Sequence, residues 1–193
     1  MKKPITIHFI TPERKSLKNL WRKLFIALFS IFLLSGIGQF VQAQQIINVE
    51  EAVSEMLASD NPETFSQGMH LQSLLVDVHP ALYINNGAFS PHGTNDPIVL
   101  YSDASSIQSL YDTHPLFSQV ELIKISIENN LEIPDAVLLE QMTGFPNLQY
   151  VYVLFEYDAC RSGNSSCLAD ILSQIFAGAK SPVVLLYGKS IPQ

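Results

Sequence analysis

Apolar positions along the second half of this chain switch regularly between a period of two and a period near 3.6. Val120, Ile123 and Ile125 return as Leu148, Val151 and Val153, each 28 residues on. Between the copies, residues 134–144 open on Pro134, place Val137, Leu138 and Met142 at helical spacing with Phe145 just beyond, and reach Gly144 at their end. The pattern predicts strand–helix–strand, with proline at the first helical position and glycine closing. Two further β-prone runs, residues 98–101 and 183–187, extend the series. A helix capped by Asp103 or Ser105 is predicted to turn Ile107, Leu110, Tyr111 and His114 inward before Pro115. Another, from Ser165 or Ser166, carries Leu168, Ile171, Leu172, Ile175 and Phe176 and stops at Gly178. Strands separated by helices pair in parallel, because a hairpin cannot join them. Taking Val99, Ile123, Val151 and Val184 as strand centres gives intervals of 24, 28 and 33 residues.

The preceding residues read as two helices. Asn48 and Glu51 have capping-box spacing ahead of Val49, Val53, Met56 and Leu57. Asn61-Pro62-Glu63 is a second helix start, followed by an apolar stripe of Phe65, Met69 (or Gln72), Leu75 and Val76 widened by Leu71, Leu74 and Val78. His79-Pro80 ends it, since a residue before proline avoids the helical region. Residues 81–84 form a short strand candidate, and residues 85–97, rich in Asn, Gly, Ser and Pro, an irregular loop. The expectation is one α/β domain over residues 44–193, with a mostly parallel sheet built from strand–helix units and two helices in front.

Leu148-Gln-Tyr-Val151-Tyr-Val153, preceded by Phe145-Pro146-Asn147, resembles the L-x-x-L-x-L strand of a leucine-rich repeat. Residues 120–125 are a looser copy and residues 181–186 looser still, so the likeness covers about residues 96–190. Glu128 and Glu156 stand where the family places the Asn or Cys that bonds the turn after the strand. The resemblance implies a strand-lined face that binds a protein partner. Aligning the strands on their centres puts Leu100, Lys124, Tyr152 and Leu185 in one row. Ser102, Ser126, Leu154 and Tyr187 form the next, with Tyr150 alongside. The binding residues implied are Lys124, Tyr150, Tyr152, Leu154, Leu185 and Tyr187. So apolar a face is either a recognition surface, with tyrosines as anchors, or the seat of the two N-terminal helices.

Charge and cysteines place the domain. Lys2, Lys3, Arg14, Lys15, Lys18, Arg22 and Lys23 precede an apolar run at residues 24–34, then Val41-Gln42-Ala43. Residues 1–43 thus read as an export signal cleaved after Ala43, or as an uncleaved anchor over residues 24–43, about a bilayer's thickness. Both export the domain, to the periplasm or beyond, and membrane contact is expected only through that segment. Without the leader's seven cations and Glu13, four cations and 17 acids remain, a net charge of −13. That field argues against nucleic acid as a partner. In an exported chain, Cys160 and Cys167 read as a disulfide pinching a loop.

Reactive constellations are scarce. No G-x-S-x-G, H-E-x-x-H or glycine-rich phosphate loop is present, and no cofactor is implied. His114 reads as a packed histidine and His79 as a cap on a helix end. The alternative to a non-enzymatic binding module is an enzyme or cation site at the C-terminal strand ends, where Asp103, Glu128, Glu156 and Asp158 would gather.

Overall fold

The computed structural model describes residues 45–134, 136–160, 166–176 and 182–190, all within the compact unit Gln42–Gln193. The export segment expected over residues 1–43 lies outside the described residues. None of the described helices is long and apolar enough to cross a membrane.

The fold is α/β. The described elements run β1 (Ile46–Asn48), α1 (Val49–Leu57), α2 (Pro62–Val76), β2 (Ala81–Asn85), β3 (Ala88–His92), β4 (Val99–Asp103), β5 (Leu122–Ile127), β6 (Tyr150–Phe155), α3 (Cys167–Ile175) and β7 (Val184–Lys189). The seven strands form one sheet in the order β1-β7-β6-β5-β4-β2-β3. Every pairing is parallel except β2 with β3. Strands β2, β4, β5, β6 and β7 are therefore neighbours in chain order.

Each connection from β4 to β7 packs on the same face of the sheet. Ile107 and Leu110, Phe117, Val137, Met142 and Phe145, and then Leu168, Leu172 and Ile175, share one core with Leu100, Ile123, Ile125, Val151, Val153 and Leu185. Cys160 and Cys167 are joined as a disulfide, Cα atoms 6.0 Å apart, which ties the chain after β6 to the first residue of α3.

Two of these connections differ from the sequence expectation. Residues 104–111 form a 3₁₀ helix capped by Asp103, whose carboxylate accepts from the Ser106 amide at 2.7 Å. The helix expected over residues 134–144 is absent among the described residues there; only a 3₁₀ turn, Leu139–Gln141, is present. The backbone is satisfied elsewhere: the Val137 amide donates to the Ile175 carbonyl at 2.7 Å, and the Leu138 amide to the Tyr111 hydroxyl at 2.9 Å. Tertiary partners replaced the helical ladder while Val137, Met142 and Phe145 still reached the core.

The loop expected over residues 85–97 contains a hairpin. Asn86 (φ 50°) and Gly87 (φ 74°) are both left-handed, as a two-residue mirror-image turn requires. Strand β3 follows at the sheet edge, where Pro91 costs no ladder hydrogen bond.

Helices α1 and α2 lie on the opposite face. Asn48 and Asn61 cap them, each carboxamide oxygen accepting from amides of the first turn. Gly68 lets the two helices close: a Cβ there would stand 2.7 Å from the Met56 Cβ. That contact sets the rotation of α2. Leu71 and Leu74 are buried, whereas Phe65, Met69 and Val76 of the expected stripe remain exposed. His70 Nε2 lies 2.6 Å from the Glu121 carboxylate and ties α2 to the chain entering β5.

Candidate functional site

Strand register places the side chains of interest. Tyr83, Tyr101, Lys124, Tyr152 and Leu186 form one row across five parallel strands on the helix-covered face. Tyr83 and Tyr101 stack, with ring centroids 4.8 Å apart and planes 9° apart. His92 of β3 meets the edge of Tyr83 at 4.9 Å. The Lys124 ammonium lies 5.7 Å from the Tyr101 ring centroid and 5.4 Å from that of Tyr152. Both distances are within cation–π range. The row is a ladder of aromatic rings with one cation at its centre.

Tyr152 is seated by a glycine. A Cβ at Gly188 would overlap the Tyr152 hydroxyl and approach its ring carbons at 3.1 and 3.2 Å. Only a residue without a side chain leaves room for the phenol to lie across β7.

Helices α1 and α2 cover the neighbouring row without sealing the sheet's centre. Ala52, Leu71 and Leu74 form a second core with Val99, Leu122, Tyr150, Tyr152 and Leu186. Beside this core, a cleft of about 450 Å³ opens between the helices and the middle of the sheet. Val49 and Val53 of α1 and Leu75 and Val76 of α2 give it apolar walls. Lys124 and Tyr152 belong to the sheet side, and the exposed Glu50, Ser54 and Gln72 complete the lining.

Electrostatics single out Lys124. Burial pulls its ammonium below the ordinary lysine value of 10.5, against the opposing pull of Glu156. No carboxylate of the described residues stands within ion-pair distance of it; the other cation described, Lys189, pairs with Asp158 at 2.6 Å. Burial raises the phenols of Tyr101, Tyr150 and Tyr152, and the negative charges of Glu121 and Glu50 add to the rise at Tyr150 and Tyr152. These phenols are neutral hydrogen-bonding groups at physiological pH.

Of the six binding residues expected from the sequence, Lys124 and Tyr152 meet in the cleft. Tyr150, 5 % exposed, is buried beneath the helices, and Leu154 is half-buried on the same face. Leu185 and Tyr187 belong to the other side. Leu185 is fully buried in the main core, and Tyr187 packs against that core half-exposed. The physical reason is register. Paired residues recur at 100, 123, 151 and 185, intervals of 23, 28 and 34, not the 24, 28 and 33 assumed. A slip of one residue reverses the face of every side chain in a strand. Tyr101 and Leu186 occupy the places assigned to Leu100 and Leu185. Gly188 carries no signal in the sequence alone, because a lone glycine gives no indication of which ring will lie across it.

The carboxylates proposed for a cation do not gather. Asp103 accepts from the Asn86 and Ser106 amides and the Ser105 hydroxyl. Burial alone would raise its carboxyl, but these hydrogen bonds together hold it below the ordinary value. Asp158 is held by Lys189, and Glu128 is exposed. Among the described residues, no three His, Cys, Asp or Glu side chains converge in a group suited to a metal ion. His79 caps the end of α2, donating to the Ser73 carbonyl at 2.9 Å. His114 stacks on Phe89 and accepts from the Leu116 amide.

Comparisons with family models, with curated proteins and with solved structures yield no match to this chain.

Proposed function

We propose that this chain is an exported, non-enzymatic binding module that takes its partner in the cleft between α1, α2 and the centre of the sheet. One observation carries the reading: Lys124, in an acidic chain, is half-buried between two tyrosine rings with no carboxylate in ion-pair distance among the described residues. Removing an ammonium from water without a counter-charge is costly, and a partner that supplies the charge recovers that cost on binding. The groups lining the cleft suit recognition: one cation, phenol rings and aliphatic walls.

Export through the leader at residues 1–43 is part of the proposal, and the Cys160–Cys167 disulfide supports an oxidising destination. So is a distant relation to leucine-rich repeats over about residues 96–190. Its support is a run of parallel strands adjacent in chain order, with their connections on one face. In this chain the opposite face, which such repeats use for partners, is roofed by α1 and α2, and recognition is confined to the gap they leave.

Photo-crosslinking in the producing cells tests the site. A benzophenone side chain at Val76, 72 % exposed on the cleft wall, should capture a partner; one at Leu131, 90 % exposed elsewhere, should not. The Lys124→Met substitution should abolish the capture. Equal capture at both positions, or none at Val76, would refute the proposal.

A further inference from the structure

We infer that the cleft's ligand is a monocarboxylate amphiphile, its carboxylate on the Lys124 ammonium and its hydrocarbon chain along Val49, Val53, Leu75 and Val76. The inference rests on the binding reading above and specifies its ligand.

Charge complementarity decides the head group. Lys124 is the one cation in the cleft and lacks a carboxylate within ion-pair distance among the described residues. One positive charge balances one negative charge. A dianionic phosphate would bring a second charge toward Glu50, on the cleft lining, and Glu156, whose field Lys124 feels. Two first-turn amides of α1, the usual recourse for a phosphate, are already occupied: those of Glu50 and Glu51 donate to the Asn48 carboxamide. A cationic head group is repelled by the ammonium itself. A neutral one leaves it unpaired.

The walls decide the tail. Four aliphatic side chains from two helices face a space of about 450 Å³, with Tyr152 on the sheet side. A cleft of this size lies within the usual range for small-molecule sites, about 300–1,000 Å³. A flexible hydrocarbon chain fits such a cleft without a polar group to satisfy, and each methylene buried adds to affinity. A short carboxylate leaves the walls wet.

Titration calorimetry with decanoate, below its micelle concentration, tests the pairing of head and tail. Decanoate should bind saturably at one per chain. Acetate, decanol and decyltrimethylammonium should each bind at least about tenfold more weakly. Lys124→Met should weaken decanoate by at least about tenfold while leaving decanol unchanged. Val76→Glu, a change at an exposed position, provides a second variant and should weaken decanoate alike. Decanoate binding no tighter than decanol, or indifferent to Lys124→Met, overturns the inference. If decanoate fails while Lys124-dependent crosslinking at Val76 persists, the cleft binds a different class, such as an apolar peptide. If both fail, the cleft is not a binding site.

Discussion

Replacing Gly188 by alanine adds one methyl group at the point where Tyr152 crosses β7. The new Cβ overlaps the phenol oxygen and crowds two ring carbons at 3.1 and 3.2 Å. Tyr152 is only 8 % exposed, so the ring cannot simply move into water. Overpacking of this kind costs about 1–3 kcal/mol. Against it, alanine restricts the unfolded chain and contributes about 0.4–1 kcal/mol, since Gly188 has an ordinary φ. The net expectation is a loss of about 0.5–2 kcal/mol, a fall in Tm of roughly 1–8 °C for a domain of this size. In a Tyr152→Leu background the collision is gone, and Gly188→Ala should become neutral or stabilising by about 0.4–1 kcal/mol. Urea denaturation of the four proteins closes the cycle, with an expected coupling of about 1–3 kcal/mol. Gly188→Ala costing the same in both backgrounds, within about 0.5 kcal/mol, would refute the seating of Tyr152 on Gly188 and with it the shape of the cleft floor.

Two further outcomes bear on the roof and the cation. Leu74→Ala should cost about 2–5 kcal/mol because Leu74 is buried against the sheet, whereas Val76→Ala on the same helix should stay within about 0.5 kcal/mol; equal effects in urea denaturation would mean α2 is not a roof. Lys124→Met should stabilise the ligand-free protein near neutral pH by removing a buried charge. The folded Lys124 loses its proton below the ordinary 10.5, so between those two values the unfolded chain binds more protons and the wild type gains stability as pH rises. The raised phenols of Tyr101, Tyr150, Tyr152 and Tyr187 act oppositely above 10.0, in both proteins. The advantage of Lys124→Met should therefore shrink as the pH rises toward 10.5; a constant or growing advantage in thermal melts would contradict the partly desolvated ammonium.

Much of the architecture was legible in local pattern. Alternation along residues 122–127, and the β-branched and aromatic run at 150–155, identify strands, because a pleat sends successive side chains to opposite faces whatever the neighbour does. Asn48 and Asn61 mark helix starts because a cap is satisfied within three residues of itself. The Cys160–Cys167 bridge is likewise a short-range fact.

What the tertiary structure alone decided is everything measured between strands or between layers. Register across β4, β5, β6 and β7 depends on how each connection folds, and a 3₁₀ segment rises differently from the α-helix its pattern suggested. One residue of slip exchanged Leu100 for Tyr101 on the β4 side of that segment, and a second slip exchanged Leu185 for Leu186 although α3 is the helix expected there. How closely α1 and α2 pack depends on Gly68, whose missing side chain means little until a second helix lies against it. Composition shows that four cations follow residue 43; only the fold sets one of them between two rings at the centre of a sheet, because proximity across strands is not written in any single strand.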